Sequence, residues 1–400
     1  MSTQRAKTEI PDEQYPTTEG SIKSPSAATE PPFLLWPVAR REYYLRLSLA
    51  AAAPLLWGFT IFGYHGLGTA IFFIGGSLLT YAALTRVRHL NTARFKFHQN
   101  LACTMVAAGL LCPLVSITWA MVGGIATALL SWVAALPKRQ YIQAGLLAPL
   151  LLMLILPLPK QWPLLTRDHL WFGDIYKAQK AQIYSWPASS PGPGLDAVLL
   201  NPPDRALHIL LAKIASDPGS QDSQEALNDA FALDLPSAVD QIFGGTPGRL
   251  GTVALWIIVL CGLYLSYRHI LFPLAWVLFL SAVLVGLLFG PLGPRSLEYQ
   301  FWQSLGGVWY LPPDYAVTLL LYELRSSDFI FASVFVLALP GTMPLEPAAR
   351  GIFLAVAGIG ATLIYRLDLP FPPATAALLL LQPVAPLFDM LFHRRSWLLR

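Results

Sequence analysis

Long apolar runs alternate with short polar interruptions over most of the 400-residue chain. A helix needs about 20 apolar residues to cross a bilayer core of roughly 30 Å, and many of these runs approach that length. The residue-by-residue alternation typical of membrane barrel strands is missing, so the pattern predicts helices. Ten membrane spans are predicted, at about 47–64, 67–85, two within 101–136 divided by Pro113, 141–158, 251–268, 271–290, 314–340, 350–366 and 371–392.

One predicted span is interrupted by charged residues. Glu323, Arg325 and Asp328 divide the segment 314–340 into two apolar pieces that are each short for a full span. Counting them as one interrupted helix places the C-terminal basic cluster on the same side as the other basic clusters, which the positive-inside rule favours. The result is ten spans in two halves of five. If the halves are related, they are inverted repeats, although the sequence shows no strong residue-level match between them.

A polar stretch separates the two halves. Residues 159–250 carry seven Lys or Arg and ten Asp or Glu, a balance opposite to that of the basic flanks, and this favours an extracytoplasmic location. The first 40 residues are rich in Ser, Thr, Pro and Glu, which is typical of disorder. The predicted organisation is a disordered cytoplasmic tail (1–42), a first five-helix half (43–158), an extracytoplasmic insert (159–250), a second five-helix half (251–393) and a cytoplasmic C-terminal tail (394–400).

Composition supports an all-α integral membrane protein surrounded by the lipid bilayer. Hydrophobic residues make up 55% of the chain and charged residues only 12%, which does not fit a water-facing surface. The net charge of +4 lies mainly in clusters beside the predicted spans. Such clusters control topology, so we predict that both termini are cytoplasmic and that the protein has no nucleic-acid partner.

Candidate chemistry is sparse. The sequence has no P-loop, GxGxxG, HExxH or GxSxG motif, and its seven His and three Cys lack ligand spacing, so no catalytic residue and no metal site are predicted. Glu323, Arg325 and Asp328 are the main candidates, because charges within a membrane are costly unless paired or hydrated. Two interpretations stay open: an ion or proton path, or a fixed charge network that holds a broken helix.

Several segments resemble a known membrane family. They are GGTPGRLGTVALWIIVLCGLYLSYRHI, FVLALPGTMPLEPAARGIFLAVAGIGATLIYR, LLLLQPVAPLFD and the opening PPFLLWPVARREYYLRLSLAAAAPLLWGFTIFG. The chain resembles the RnfD proteins of Rnf electron-transport complexes and their relatives, the NqrB proteins of sodium-pumping NADH:quinone oxidoreductases. The resemblance implies a bacterial inner membrane, electron transfer coupled to ion translocation, and partners among other membrane subunits and flavin or iron–sulphur subunits.

The resemblance also implies FMN, which such proteins esterify to a threonine in an SGATP-like motif. The segment DAVLLNPP, residues 196–203, aligns with that motif and puts Pro202 at the flavin-bearing position. Proline has no hydroxyl, so no phosphoester can form there and covalent attachment is not expected. Thr246 in GGTPG is a second candidate for flavin attachment. It is the weaker one, because the surrounding glycines suit a tight turn at the membrane surface instead.

The leading functional hypothesis is an RnfD-like subunit of a redox-driven ion translocase, with its own covalent flavin site lost. The alternative is a stand-alone secondary transporter, which two five-helix halves and a charged broken helix would also fit. A membrane glycosyl or acyl transferase is a third possibility, but the acidic or His cluster that such enzymes need at a membrane face is missing from the sequence.

Overall fold

The structure is a computed structural model. It describes residues 40–86, 97–113, 115–135, 143–156, 221–222, 225, 238–244, 248–291, 307–367, 369 and 371–398. Residues 1–39 of the predicted N-terminal tail and most of the predicted extracytoplasmic insert lie outside these residues, whereas residues 40–42 already belong to the first helix. The boundaries proposed for those two segments therefore stay predictions.

In the part of the chain that the structure describes, the regular structure is helical. The first half contains α1 (Arg40–Arg86), α2 (Phe97–Gly109), α3 (Ile117–Ala135) and α4 (Leu147–Ile155), the last preceded by a 3-10 turn at Ala144–Leu146. The predicted insert contains α5 (Ala238–Phe243). The second half contains α6 (Leu255–Tyr267), α7 (Pro273–Phe289), a 3-10 turn (Gly307–Tyr310), α8 (Pro313–Ser326), α9 (Phe329–Phe331, continuing as a π-helical turn through Ala332–Val336), α10 (Pro347–Arg366), α11 (Pro373–Leu381), a 3-10 turn (Gln382–Val384) and α12 (Ala385–Leu398), which continues into the predicted C-terminal tail.

Helix length and apolar composition make this a multi-pass membrane protein. Five helical segments are long and apolar enough to cross a bilayer: Arg41–Gly63, Gly66–Arg86, Ile117–Ala134, Pro347–Arg366 and Pro373–Phe392. Three further apolar helices are shorter, at Ala144–Ile155, Leu255–Tyr267 and Pro273–Phe289. These eight segments coincide with predicted spans, whereas the total of ten spans stays a prediction.

Breaks in the helices fall where local sequence disfavours a helix. Helix α1 is interrupted at Gly63, whose φ of 63° and ψ of −153° suit glycine and few other residues. This break separates the first two candidate spans, close to the boundary between the predicted spans 47–64 and 67–85. Between α2 and α3, the chain leaves the helix on either side of Pro113, which also matches the predicted division of that apolar run.

Close glycine contacts hold the first half together. A β-carbon at Gly124 of α3 would collide with the carbonyl oxygen of Phe73 and the amide nitrogen of Ser77, both in the second segment of α1. Gly76 of that segment likewise approaches the carbonyl group of Met121. Small residues at such crossings allow two membrane helices to pack backbone against backbone.

The second half repeats this arrangement. A β-carbon at Gly358 of α10 would lie 2.9 Å from the carbonyl oxygen of Phe279 and 3.0 Å from the amide nitrogen of Val283, both in α7. In each half, a glycine of the fourth predicted span therefore packs against the second predicted span. There it contacts a phenylalanine and the residue four positions after that phenylalanine. The glycines occupy the same place in VGGIATALL (122–130) and VAGIGATLI (356–364), a residue-level correspondence that sequence inspection missed.

The two halves meet at a second pair of glycines. The amide of Gly251 donates to the carbonyl oxygen of Gly109 over 2.8 Å, and the amide of Leu250 donates to that of Leu111 over 3.0 Å. The ring of Phe331 packs against both glycines, so that a β-carbon on either would press into it. At this point the interface between the halves is filled by backbone and one aromatic ring.

Candidate functional site

The interruption predicted within 314–340 lies between α8 and α9. Helix α8 ends at Ser326, and Ser327 has an extended backbone with φ of −105° and ψ of −177°. The hydroxyl of Ser326 donates to the carbonyl oxygen of Glu323 over 3.2 Å. Short polar side chains that bond to the nearby backbone compete with the helical ladder, which gives a local reason for the break at this Ser-Ser-Asp sequence.

Glu323 forms a buried ion pair with Arg366, the last residue of α10. The Nη2 group of Arg366 donates to Oε2 of Glu323 over 2.9 Å, and its Nη1 group donates to Oε1. Both side chains are excluded from solvent. The fork of the guanidinium therefore matches both carboxylate oxygens, which is the geometry that makes arginine–carboxylate pairs strong.

Asp328 caps the N-terminus of helix α11. Its Oδ1 atom accepts the backbone amide of Ala374 over 3.0 Å, and its Oδ2 atom accepts both the amide of Thr375 over 2.9 Å and the Thr375 hydroxyl over 2.7 Å. The first amides of a helix have no partner within the helix, and a carboxylate there also interacts favourably with the helix dipole. The buried charge of Asp328 is therefore compensated by hydrogen bonds, and no cation of the described chain forms an ion pair with it.

Arg325 lies apart from these two groups. Its Nε group donates to the carbonyl oxygen of Leu321 over 2.8 Å, and its side chain is partly exposed. Residues two positions apart on a helix do not face each other, so Glu323 and Arg325 diverge. The structure thus brings Glu323 and Asp328 to the same helix break, but pairs Glu323 with Arg366 and leaves Arg325 outside the pair.

Sequence reasoning missed Arg366 and Thr375. A basic residue at the end of an apolar run is typical of a membrane flank. Arg366 fits that pattern, so its position in the sequence did not indicate an ion pair. The available signal was that a carboxylate buried within an apolar segment requires a cation or several donors nearby. That signal predicts a partner but does not say which helix supplies it.

The segment after α9, residues 337–346, is also non-helical, and its first three residues and Thr342 are buried. Gly341 has φ of 83°, and the hydroxyl of Thr342 donates to the carbonyl oxygen of Leu339 over 2.8 Å. Asp389 of α12 accepts the amides of Leu345 and Glu346 over 2.8 and 2.9 Å, at the start of α10. Asp328 thus bonds the helix break before α9 to the start of α11, and Asp389 bonds the segment before α10 to α12.

The residues of the flavin-related predictions, Thr246 and Pro202, both lie outside the described residues. Gly244, at the start of the GGTPG segment, has φ of 90°, and the preceding carbonyl group of Phe243 accepts the Trp57 indole N–H over 2.9 Å. Among the described residues, no group of three His, Cys, Asp or Glu is placed to hold a metal ion.

Comparison with known proteins identifies the family. A sequence model of the NQR2, RnfD, RnfE family matches residues 175–397, which include the whole second half and the interrupted helix. No curated protein matches the chain. This family comprises membrane subunits of ion-translocating electron-transport complexes. The match covers more than half of the sequence and all the residues of the ion pair and the helix cap, and the chain therefore belongs to the NQR2, RnfD, RnfE family.

Proposed function

We propose that the protein is an RnfD-like membrane subunit in which Glu323, Arg366 and Asp328 hold the broken helix in place rather than carry ions. The observation that supports this role is that every carboxylate oxygen of Glu323 and Asp328 already has a hydrogen-bond partner. An ion or proton site needs a carboxylate that can exchange its partners. These two groups would first have to leave an arginine fork and a helix N-terminus.

The proposed subunit has lost the covalent flavin of its relatives. Pro202 at the aligned flavin position offers no hydroxyl for a phosphoester. Electron transfer requires a carrier, and protein side chains of this chain do not supply one. The proposal therefore assigns the redox centres to flavin or iron–sulphur partner subunits, or to a noncovalent flavin. It further places the assembly in a bacterial inner membrane with both termini of this subunit in the cytoplasm.

A stand-alone secondary transporter is the second candidate function. The matching glycine contacts of the two halves favour it, because many transporters are built from two related repeats. The contact of Gly109, Gly251 and Phe331 opposes it, because a substrate path between the halves would have to open that filled interface. A transporter should move solute when reconstituted alone, whereas the proposed subunit should co-purify with redox partners and move none.

The ion-path and scaffold roles are separated by removing both charges together. In the double variant Glu323→Leu with Arg366→Met, the two charges disappear while apolar volume is retained. The scaffold role predicts unchanged ion movement per electron in the reconstituted complex, normalised to assembled subunit. Loss of ion movement in a normally assembled double variant would contradict it. Arg325→Gln is the control for removal of a nearby charge outside the pair.

The flavin is tested separately by in-gel ultraviolet fluorescence. The denatured protein, expressed together with a flavin transferase, is expected to give no fluorescent band. A band that is lost in Thr246→Ala would contradict the proposed absence of covalent flavin and make Thr246 the attachment residue. A family member with an intact SGATP-like motif, expressed in the same cells, shows that the transferase is active.

A further inference from the structure

A small cleft lies at the end of the bundle where α1 and α10 begin. Its volume is about 70 Å³, and we call it the arginine cleft after Arg350, the one charged residue among the described residues that line it. Its lining also includes Tyr43 of α1, Phe272 before α7, and Met343 and Leu345 of the segment before α10. Because the candidate spans Arg41–Gly63 and Pro347–Arg366 both start here, the cleft lies at the level of a membrane surface.

The walls of the cleft are fixed by polar contacts. The Tyr43 hydroxyl donates to the carbonyl oxygen of Ala338, and it lies 3.3 Å from that of Ile270. These contacts tie the first helix to the α6–α7 turn and to the segment after α9. The cleft therefore joins parts of both halves and is not a gap beside one mobile side chain.

Arg350 is held in a defined direction. Its Nε group donates to the carbonyl oxygen of Pro344 over 3.1 Å and its Nη2 group to that of Leu345 over 3.0 Å. Its guanidinium carbon lies 5.1 Å from the centre of the Phe272 ring, within range of a cation–π contact. Among the described residues, no acceptor bonds to Nη1, so one end of the fork is free for a ligand.

The charges near the cleft favour an anion. Arg41 and Arg268 lie within two residues of the lining residues Tyr43 and Ile270. Glu42 is already paired with Arg46. Two further carboxylates lie near the cleft: Asp389, whose Oδ1 atom accepts two backbone amides, and Glu346, which follows the lining residue Leu345. Outside the Glu42–Arg46 pair, three cations, Arg41, Arg268 and Arg350, thus accompany two carboxylates, Asp389 and Glu346, near the cleft.

Apolar side chains at the cleft indicate what kind of anion fits. Phe272 is 40% exposed and Leu345 is 48% exposed, and both border Arg350. A free inorganic anion would gain nothing from these surfaces, whereas a lipid presents a phosphate beside hydrocarbon. We propose that the arginine cleft binds the phosphate of an anionic phospholipid, with Arg350 as its ligand and with Phe272 and Leu345 against the glycerol and upper acyl region.

The test uses the purified full-length protein and counts bound lipid by native mass spectrometry during titration with phosphatidylglycerol or phosphatidylcholine. Loss of a hydrogen-bonded charge should weaken phosphatidylglycerol binding in Arg350→Gln by about tenfold or more. Arg86→Gln, which removes an exposed cation at the end of α1 outside the cleft, is expected to bind as the unchanged protein does. Equal phosphatidylglycerol affinity in Arg350→Gln and the unchanged protein would overturn the proposal.

Arg350 also donates to two carbonyl groups, so Arg350→Gln changes the local fold as well as the charge of the cleft. A second variant separates these two effects. Leu345→Asp leaves those bonds in place, since they use backbone atoms, and adds a carboxylate at the cleft that should repel the lipid phosphate. Its phosphatidylglycerol binding is expected to fall while its melting temperature without lipid stays unchanged. Inorganic phosphate is the competing probe: displacement of the lipid by phosphate at similar concentrations would overturn the lipid assignment in favour of a soluble anion.

Discussion

Arg366 and Glu323, 43 positions apart in the chain, form a two-point ion pair whose side chains are 1% and 0% exposed. The pair joins the end of α10 to the last turn of α8, immediately before the helix break. Buried ion pairs contribute little net stability relative to well-packed apolar residues, because desolvation offsets much of the attraction. Removal of one member is different, because it leaves the other charge buried without compensation.

This asymmetry gives the first prediction. Glu323→Gln is expected to lower the free energy of unfolding by about 3–5 kcal/mol, because the Arg366 charge stays buried. The double variant Glu323→Leu with Arg366→Met should recover most of that loss. Unfolding by sodium dodecyl sulphate, followed by circular dichroism, measures both. If the double variant is less stable than Glu323→Gln, the pair contributes stability beyond the mutual compensation of its two charges.

The second prediction concerns the cap of α11. Asp328→Ala removes the acceptor for two amides and one hydroxyl, and loss of a capping side chain costs about 0.5–2 kcal/mol. Thermal unfolding in detergent should show a clear drop in the melting temperature. Asp314→Ala is the matched control, because Asp314 lies in the first turn of α8 and is exposed. Similar melting temperatures for the two variants would argue against a capping role.

The third prediction tests the repeated glycine contacts. Gly124→Ala and Gly358→Ala would place a methyl group against backbone atoms of the facing helix, and overpacking of this kind costs about 1–3 kcal/mol. Gly75 and Gly351 serve as controls, because a β-carbon at either comes within 4 Å of no neighbouring element in the part of the chain that the structure describes. Alanine at these positions should be neutral or stabilising by up to about 1 kcal/mol. Thermal unfolding of the four variants checks the ranking, and equal losses at all four would contradict it.

A fourth prediction concerns the contact between the halves. Gly251→Ala would bring a methyl group against the α-carbon of Gly109 and the ring of Phe331, so it is expected to destabilise by about 1–3 kcal/mol. Gly251→Ala with Phe331→Leu should recover part of the loss, because the smaller side chain leaves room. Limited proteolysis between the halves would reveal separation. An unchanged cleavage rate in Gly251→Ala would argue that the halves are held elsewhere.

Local features of the sequence determined the membrane helices and their breaks. Apolar length and basic flanks predicted the spans that the structure describes, and Gly63, Pro113 and the Ser-Ser-Asp sequence before Phe329 marked the interruptions. These features act within one or two helical turns, because hydrophobic length, backbone φ and side-chain competition for the backbone are properties of neighbouring residues. Motif resemblance likewise pointed to the family that the comparison then identified.

Only the tertiary structure decided how the charges are compensated and how the halves correspond. Arg325 is the nearest cation to Glu323 in sequence, yet Arg366 is its partner, because the ends of α8 and α10 meet in space. Asp328 required a helix N-terminus supplied 46 residues later, and the equivalence of Gly124 and Gly358 appeared only from what each glycine touches. A buried charge or a close backbone crossing requires a partner residue, but the packing of distant helices determines which residue that partner is.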